Sequence, residues 1–302
     1  TANARVLENV IRKMLSHELA EVREIGEQVK MVARAEIPTL VKYAEAVPYI
    51  SGTRRSLRNA ASPAPVSAAV VTGASSAERA PDWCVLVDYD RDGEDRILAA
   101  ALFRHAGGTY RAALERIRDS TPGERESLAR MLLGQLSEHD IPLRELEYCT
   151  YTFELVMDQG AYAEFKRHRM MTQTPQRLTT RLGYSLPRLM VDAGRGSAYD
   201  AAMSAASTVF ERLAESDADV AQYAVPNGFH RRVLARFNLR EAFAFCELRS
   251  APNAHFSIRR IAQQVAHEVR RVHPLLAAFM RLPAETSADV EERHFAAPEA
   301  TD

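Results

Sequence analysis

The chain says one thing twice. Asn3 and Arg5 stand as Asn238 and Arg240 do, and after one inserted residue Val22, Ile25, Val29 and Pro38 stand as Ile258, Ile261, Val265 and Pro274. A match held in register over such a length marks one supersecondary unit used twice, so whatever the later stretch folds into, residues 1–43 must fold into as well. In the first stretch Val6, Leu7, Val10, Ile11 and Met14 recur at helical spacing. A second helix starting near Ala20 is expected to bury Val22, Ile25, Val29 and Val32. Two such helices cannot bury their apolar stripes alone and need a partner. The simplest account is the C-terminal portion of a longer protein with two copies of one domain, the first copy represented by its last helices. An opening at Thr1 rather than at methionine agrees with that expectation.

Two basic stretches carry the chemistry. KRHRMMTQTPQRLTTRLGY, residues 166–184, gathers Arg167, His168, Arg169, Arg177 and Arg181 beside Thr172, Gln173 and Thr174. A guanidinium presents its N–H donors in a planar fork that matches phosphate oxygens, so the stretch fits a nucleotide cradle, although a solvated basic helix end has the same composition. In FNLREAFAFCELRSAPNAHFSIRRIAQQV, residues 237–265, Asn238 and Arg249 stand eleven residues apart. If residues 229–250 form one helix, that spacing is about three turns and brings both to nearly one face.

Taken with the strand-like TYTFEL ahead of them, these stretches resemble the flavin-dependent thymidylate synthases over roughly residues 121–281. The family's Arg-His-Arg falls on Arg167, His168 and Arg169, its Asn-x-Arg on Asn238 and Arg240, and its uracil-contacting arginine on Arg249. The resemblance implies that Arg167, His168 and Arg169 contact FAD, that Asn238 and Arg240 position the flavin, and that Arg249 is the catalytic residue lying against the pyrimidine. It implies reductive methylation of dUMP to dTMP, with FAD as cofactor, NADPH and methylenetetrahydrofolate as co-substrates, and self-association into a tetramer-like assembly. Tyr148 stands where the family has His, and Ala244 where it has Asn or His. Pro175, Arg177 and Thr179 stand where an acidic or amide residue, a Ser and an Arg grip the dUMP phosphate, which makes Arg177 and Arg181 the candidates for that grip. The first repeat keeps Asn9 at the place of Ala244 but has Met14 at the place of Arg249. The alternative is therefore a catalytically degenerate structural copy that keeps the fold and the FAD cradle.

Other function classes recede on charge and composition. With 39 Lys and Arg against 40 Asp and Glu, no global field recruits nucleic acid or an anionic membrane. The chain has no apolar run long enough for a membrane span and no secretory leader, so a cytoplasmic protein is expected. Cys84, Cys149 and Cys246 are odd in number and lack paired spacing, which argues against a disulfide framework or a structural zinc site. Asp88, Asp90, Asp92 and Gly93 imitate the opening of a calcium loop, but Ala99 occupies the position that needs a bidentate Glu.

The domain reading is a first-copy remnant over residues 1–50, a flexible linker rich in Ser, Ala and Pro over 51–81, a thymidylate synthase-like domain over 82–282 and a frayed tail over 283–302. The fold class is α+β. A small twisted sheet including residues 84–87 and 150–155 is covered by long helices over 121–139, 158–171, 197–220, 229–250 and 256–280, the last two as an antiparallel pair.

Overall fold

The computed structural model describes residues 3–61 and 83–296. They form two units, one holding residues 3–61 with 216–220 and the other residues 83–215 with 221–296.

The first unit is helical. Helix α1 (Ala4–Leu15) packs on α2 (Ala20–Glu36), followed by α3 (Pro38–Val41) and α4 (Pro48–Ala60). The Asn3 side chain accepts the Val6 amide at 2.9 Å and so starts α1. Pro38 and Pro48 open their helices, where the missing N–H costs nothing. Ile11, Leu15, Ala33, Val41 and Ala44 close a small core. A Cβ at Gly26 would come within 2.9 Å of Met14 Cβ, so the bare glycine is what lets α2 approach α1. Ile25 and Val32, expected inside, are 49% and 68% exposed, because the seam with α1 consumes the opposite side of α2. Of the stretch read as linker, residues 51–60 belong to α4, and 62–81 lie outside the described residues.

In the second unit the order is β1 (Cys84–Tyr89), α5 (Gly93–Ala106), α6 (Tyr110–Asp119), α7 (Pro122–Leu133), β2 (Thr150–Asp158), α8 (Gln159–Phe165), β3 (Thr172–Pro175), β4 (Leu186–Pro187), α9 (Arg188–Asp192) and α10 (Gly196–Ala214). After the short α11 (Ala218–Ala221), most of which belongs to the first unit, come β5 (His230–Asn238), α12 (Leu239–Ser250), α13 (Phe256–Val272), α14 (Pro274–Ala277), α15 (Ser287–His294) and β6 (Phe295–Ala296). Four strands pair antiparallel in the order β1-β2-β5-β3, giving the α+β architecture. Tyr151, Phe153 and Leu155 of β2 point to one face with Val233, Ala235 and Phe237 of β5, and all six are buried. Twelve of the seventeen residues of α13 are buried, which makes it the central helix over that face.

Several expectations change here. Residues 230–238 are strand, not helix: Val233, Ala235 and Phe237 alternate with Arg232, Leu234 and Arg236, and pairing on both sides with β2 and β3 fixes them as the interior of the sheet. Asn238 therefore does not share a helix face with Arg249; it is the N-cap of α12 and accepts the Glu241 amide at 2.9 Å. The helix expected over 256–280 breaks at His273, whose extended φ of −132° is what a residue ahead of proline prefers. Met131 on α7 is 74% exposed.

The tail is not frayed over 283–296. Thr286 and Asp289 form a capping box for α15, Val290 and Phe295 are buried, and β6 pairs with β4. The reason lies beneath it. Arg259 and Arg260 are buried on α13, and the tail supplies their counter-charges, Glu285 and Glu291. The Arg260 guanidinium also lies 4.7 Å from the Trp83 ring centre and 4.2 Å from that of Phe295.

The calcium-like aspartates have other work. Asp90 accepts the Thr150 amide and hydroxyl, each at 2.9 Å, and Asp92 pairs with Arg96 at 2.8 Å. Gly93 is required because a Cβ there would overlap Cys149 Sγ. No three His, Cys, Asp or Glu side chains converge for a metal among the described residues, and none of the described helices is long and apolar enough to cross a membrane.

Candidate functional site

The Arg-His-Arg segment lies just past the end of α8, not within a helix. Asp158 caps α8 by accepting the Ala161 amide at 2.8 Å, and the helix ends at Phe165. The His168 amide then donates to Phe165 O at 3.0 Å. Gln173 pins the turn from β3, its Nε2 donating to Phe165 O at 3.1 Å and His168 O at 3.2 Å. This turn buries His168 and leaves Arg167 and Arg169 exposed on either side of it. No hydrogen bond or ion pair engages those two guanidinium groups among the described residues.

His168 meets α12 along one stripe. Glu241, Phe245 and Arg249 follow at four-residue spacing and so line one helix face. The imidazole stands edge-on to Phe245 with ring centres 5.0 Å apart. Its Nδ1 is 2.9 Å from Glu241 Oε1, and its Nε2 is 3.1 Å from Arg249 Nε. Arginine can only donate, so Nε2 must accept from Arg249, and the proton on the ring sits at Nδ1, donating to Glu241. Arg249 Nη1 also donates to Glu164 of α8 at 2.6 Å. Its Nη2 has no protein partner among the described residues. The result is a linear hydrogen-bonded chain, Glu241 to His168 to Arg249 to Glu164, most of it withdrawn from solvent.

The structure thus brings His168 and Arg249 together across 81 positions of sequence. The other expected site residues are not gathered there. Asn238 is spent on the α12 cap. Arg240 points toward the turn at residues 144–148, with Nε on Pro142 O at 2.8 Å and Nη1 on Glu147 at 3.2 Å. Hydrogen bonding from Arg144, then its charge and that of Arg240, holds the Glu147 carboxyl below its ordinary range. Arg181 is held by Glu211 of α10 in a two-pronged pair at 3.1 and 3.0 Å, and the hydrogen bond lowers the Glu211 carboxyl. Arg177 is exposed on the segment after β3.

The sequence reading missed Glu164, Glu241 and Phe245. The spacing of Glu241, Phe245 and Arg249 was visible as a helical stripe, but nothing in the sequence said what would lie against it. The three cysteines are buried, and burial raises their thiols, that of Cys149 to about 12, so none is a thiolate near neutrality.

Residues 85–275 match the family model described as "Thymidylate synthase complementing protein". A "UPF0159 protein" of Chlamydia muridarum is 32% identical over 95% of this chain and 55% of its own length, and one of Chlamydia pneumoniae is 28% identical over 95% and 54%. The chain spans about half the length of these curated relatives. A "Flavin-dependent thymidylate synthase" of Saccharolobus solfataricus is 31% identical over 63% of this chain and 74% of that protein. Among solved structures, the UMP/dUMP methylase PolB of Streptomyces cacaoi, bound with 5-Br dUMP, superposes with a TM-score of 0.51 at 20% identity, over 65% of this chain and 93% of its own, a likeness of fold. With the family model matched over residues 85–275, well over half of its length, this chain belongs to the thymidylate synthase complementing protein family.

Proposed function

We propose that the protein carries out the flavin-dependent methylation of a pyrimidine nucleotide, dUMP to dTMP, in which methylenetetrahydrofolate gives the carbon, NADPH the reducing equivalents, and tetrahydrofolate and NADP⁺ leave. The observation that carries this reading is the meeting of His168 with Arg249, flanked by two uncommitted guanidinium groups, in a chain of this family. FAD, when bound, supplies the two-electron carrier between NADPH and the pyrimidine.

The donor set fits such a group in part. Arg167 and Arg169 are free to take anionic phosphate oxygens, while the buried His168 holds the turn that presents them. Asn238 and Arg240, engaged in the cap and with Glu147, support α12 and contribute to flavin placement through it. Arg249 brings a guanidinium cation to the site, and its open Nη2 is the donor available to negative charge developing on a pyrimidine carbonyl oxygen. Arg177 and Arg181 are the proposed phosphate grip, Arg181 exchanging Glu211 for the nucleotide. Assembly of two-domain subunits into a tetramer-like array would complete each site.

A second reading has its own observation. Arg181 is already neutralised by Glu211, and Arg249 by Glu164, which suits a copy retained for its fold. Anaerobic reduction of the full-length protein with NADPH, followed by dUMP and methylenetetrahydrofolate and an assay for dTMP, separates the two. Product that disappears in Arg249→Ala supports the enzyme. Bound flavin without product leaves the structural copy.

A further inference from the structure

Helix for helix, the first unit repeats the end of the second. α1 and α12 have 12 residues each, α2 and α13 have 17, and α3 and α14 have 4. Asn3 and Asn238 cap by the same bond, each accepting the amide three residues on at 2.9 Å. The residue ahead of the following proline takes the same backbone, φ −137°, ψ 55° at Ile37 and φ −132°, ψ 67° at His273.

What differs is the cover. Phe245, Ile261 and Glu268 are buried in the second unit, where α13 packs on β1, β2 and α8 and α12 packs on β5. Their counterparts Val10, Ile25 and Val32 are 41%, 49% and 68% exposed. Ile11 and Ala33, the counterparts of Cys246 and Val269, are buried in both settings. The seam inside the helix pair is therefore closed, while the face that carries the sheet and α8 in the second unit lies open at the apolar Val10, Ile25 and Val32.

We propose that this open face is the docking surface for an antiparallel sheet of the β1-β2-β5-β3 kind, belonging to a first copy of the same domain in the full-length protein. The chain order commits the surface to that occupant. All four strands precede α12, and β5 runs into it at Asn238 with no linker, so by the same order the strands that α1 and α2 cover come immediately before Asn3. The Chlamydia relatives, aligned to 95% of this chain, extend it over only 55% and 54% of themselves, which leaves room for the rest of a domain the size of the 85–275 match. The two copies are not equivalent, because Met14 stands at the place of Arg249 and the first copy lacks the guanidinium that meets His168 in the second.

Thiol labelling tests the proposal, since Cys84, Cys149 and Cys246 are all buried. Ile25→Cys and, as an exposed control on α7, Met131→Cys are made in the full-length protein and in the 302-residue chain, and maleimide labelling is timed. In the full-length protein Ile25→Cys should react roughly tenfold or more slowly than Met131→Cys, whereas in the 302-residue chain the two should react alike. Equal rates in the full-length protein overturn the proposal. So does protection of Ile25→Cys in the 302-residue chain that grows with concentration, which assigns the face to a second copy of that chain. If the cysteine variants do not fold, hydrogen exchange on the wild-type proteins decides. The α2 amides should exchange more slowly in the full-length protein, and identical exchange overturns the docking.

Discussion

Glu241 and Arg249 should behave as coupled residues because each holds one nitrogen of His168. With Glu241 accepting at Nδ1, the ring presents Nε2 as an acceptor to Arg249; take away either partner and the imidazole is free to turn or to change tautomer. Glu241→Ala removes the acceptor of a charge-assisted hydrogen bond between side chains only 8% and 11% exposed. Its expected cost is about 1.5–3 kcal/mol. Arg249→Met keeps the apolar stem but removes the donor on Nε2 and the partner of Glu164, at about 2 kcal/mol. Once the ring has lost one anchor, the second loss should matter less, so the double variant should fall short of the sum by about 1 kcal/mol. Urea unfolding followed by tryptophan fluorescence measures this in the right place, since Trp83 is the single tryptophan and is buried in the second unit beside Arg260. Additivity within about 0.3 kcal/mol would refute the linkage through His168.

Four further outcomes follow from particular residues. Gly93→Ala pushes a methyl group into Cys149 Sγ and should destabilise the second unit by about 1–3 kcal/mol, with part regained in Gly93→Ala combined with Cys149→Ala; no loss in melting temperature would show the site can yield. Burial holds the imidazoles of His273 and His230 below their ordinary value, so the unfolded chain takes up protons first as pH falls below about 6.5. Stability should be fully present above that pH and decline below it, and His273→Gln should flatten the decline; an unchanged slope excludes His273 as a contributor. Arg181→Ala breaks a pair whose side chains are 55% and 47% exposed, so unfolding should shift by no more than about 0.5 kcal/mol. Arg177→Ala and Arg181→Ala should both weaken dUMP binding, and unchanged affinity in both, by calorimetry, ends their role at the phosphate.

Local chemistry was legible where one residue's neighbours in sequence are also its neighbours in space. The strand-like TYTFEL announced β2, and the helical spacing of Val6, Leu7, Val10, Ile11 and Met14 announced α1. The Arg-His-Arg and Asn-x-Arg motifs led to the family that the match over residues 85–275 bears out. The repeat itself was a matter of sequence, since register between two stretches needs no coordinates to be seen.

Tertiary structure decided the rest. HRRVLARFN is basic enough to pass for the start of an amphipathic helix, and it is a strand because β2 and β3 flank it, Leu234 pairing with Glu154 80 residues away and with Thr174 60 residues away. Glu285 and Glu291 look like solvated tail charges until the two buried arginines of α13 lie beneath them. His168 reads as an ordinary packed histidine until α12 brings Glu241 to one nitrogen and Arg249 to the other. In each case hydrogen-bond partners and counter-charges distant in the chain outweigh a local preference of a few tenths of a kcal/mol per residue, and that competition is settled only when the chain is folded.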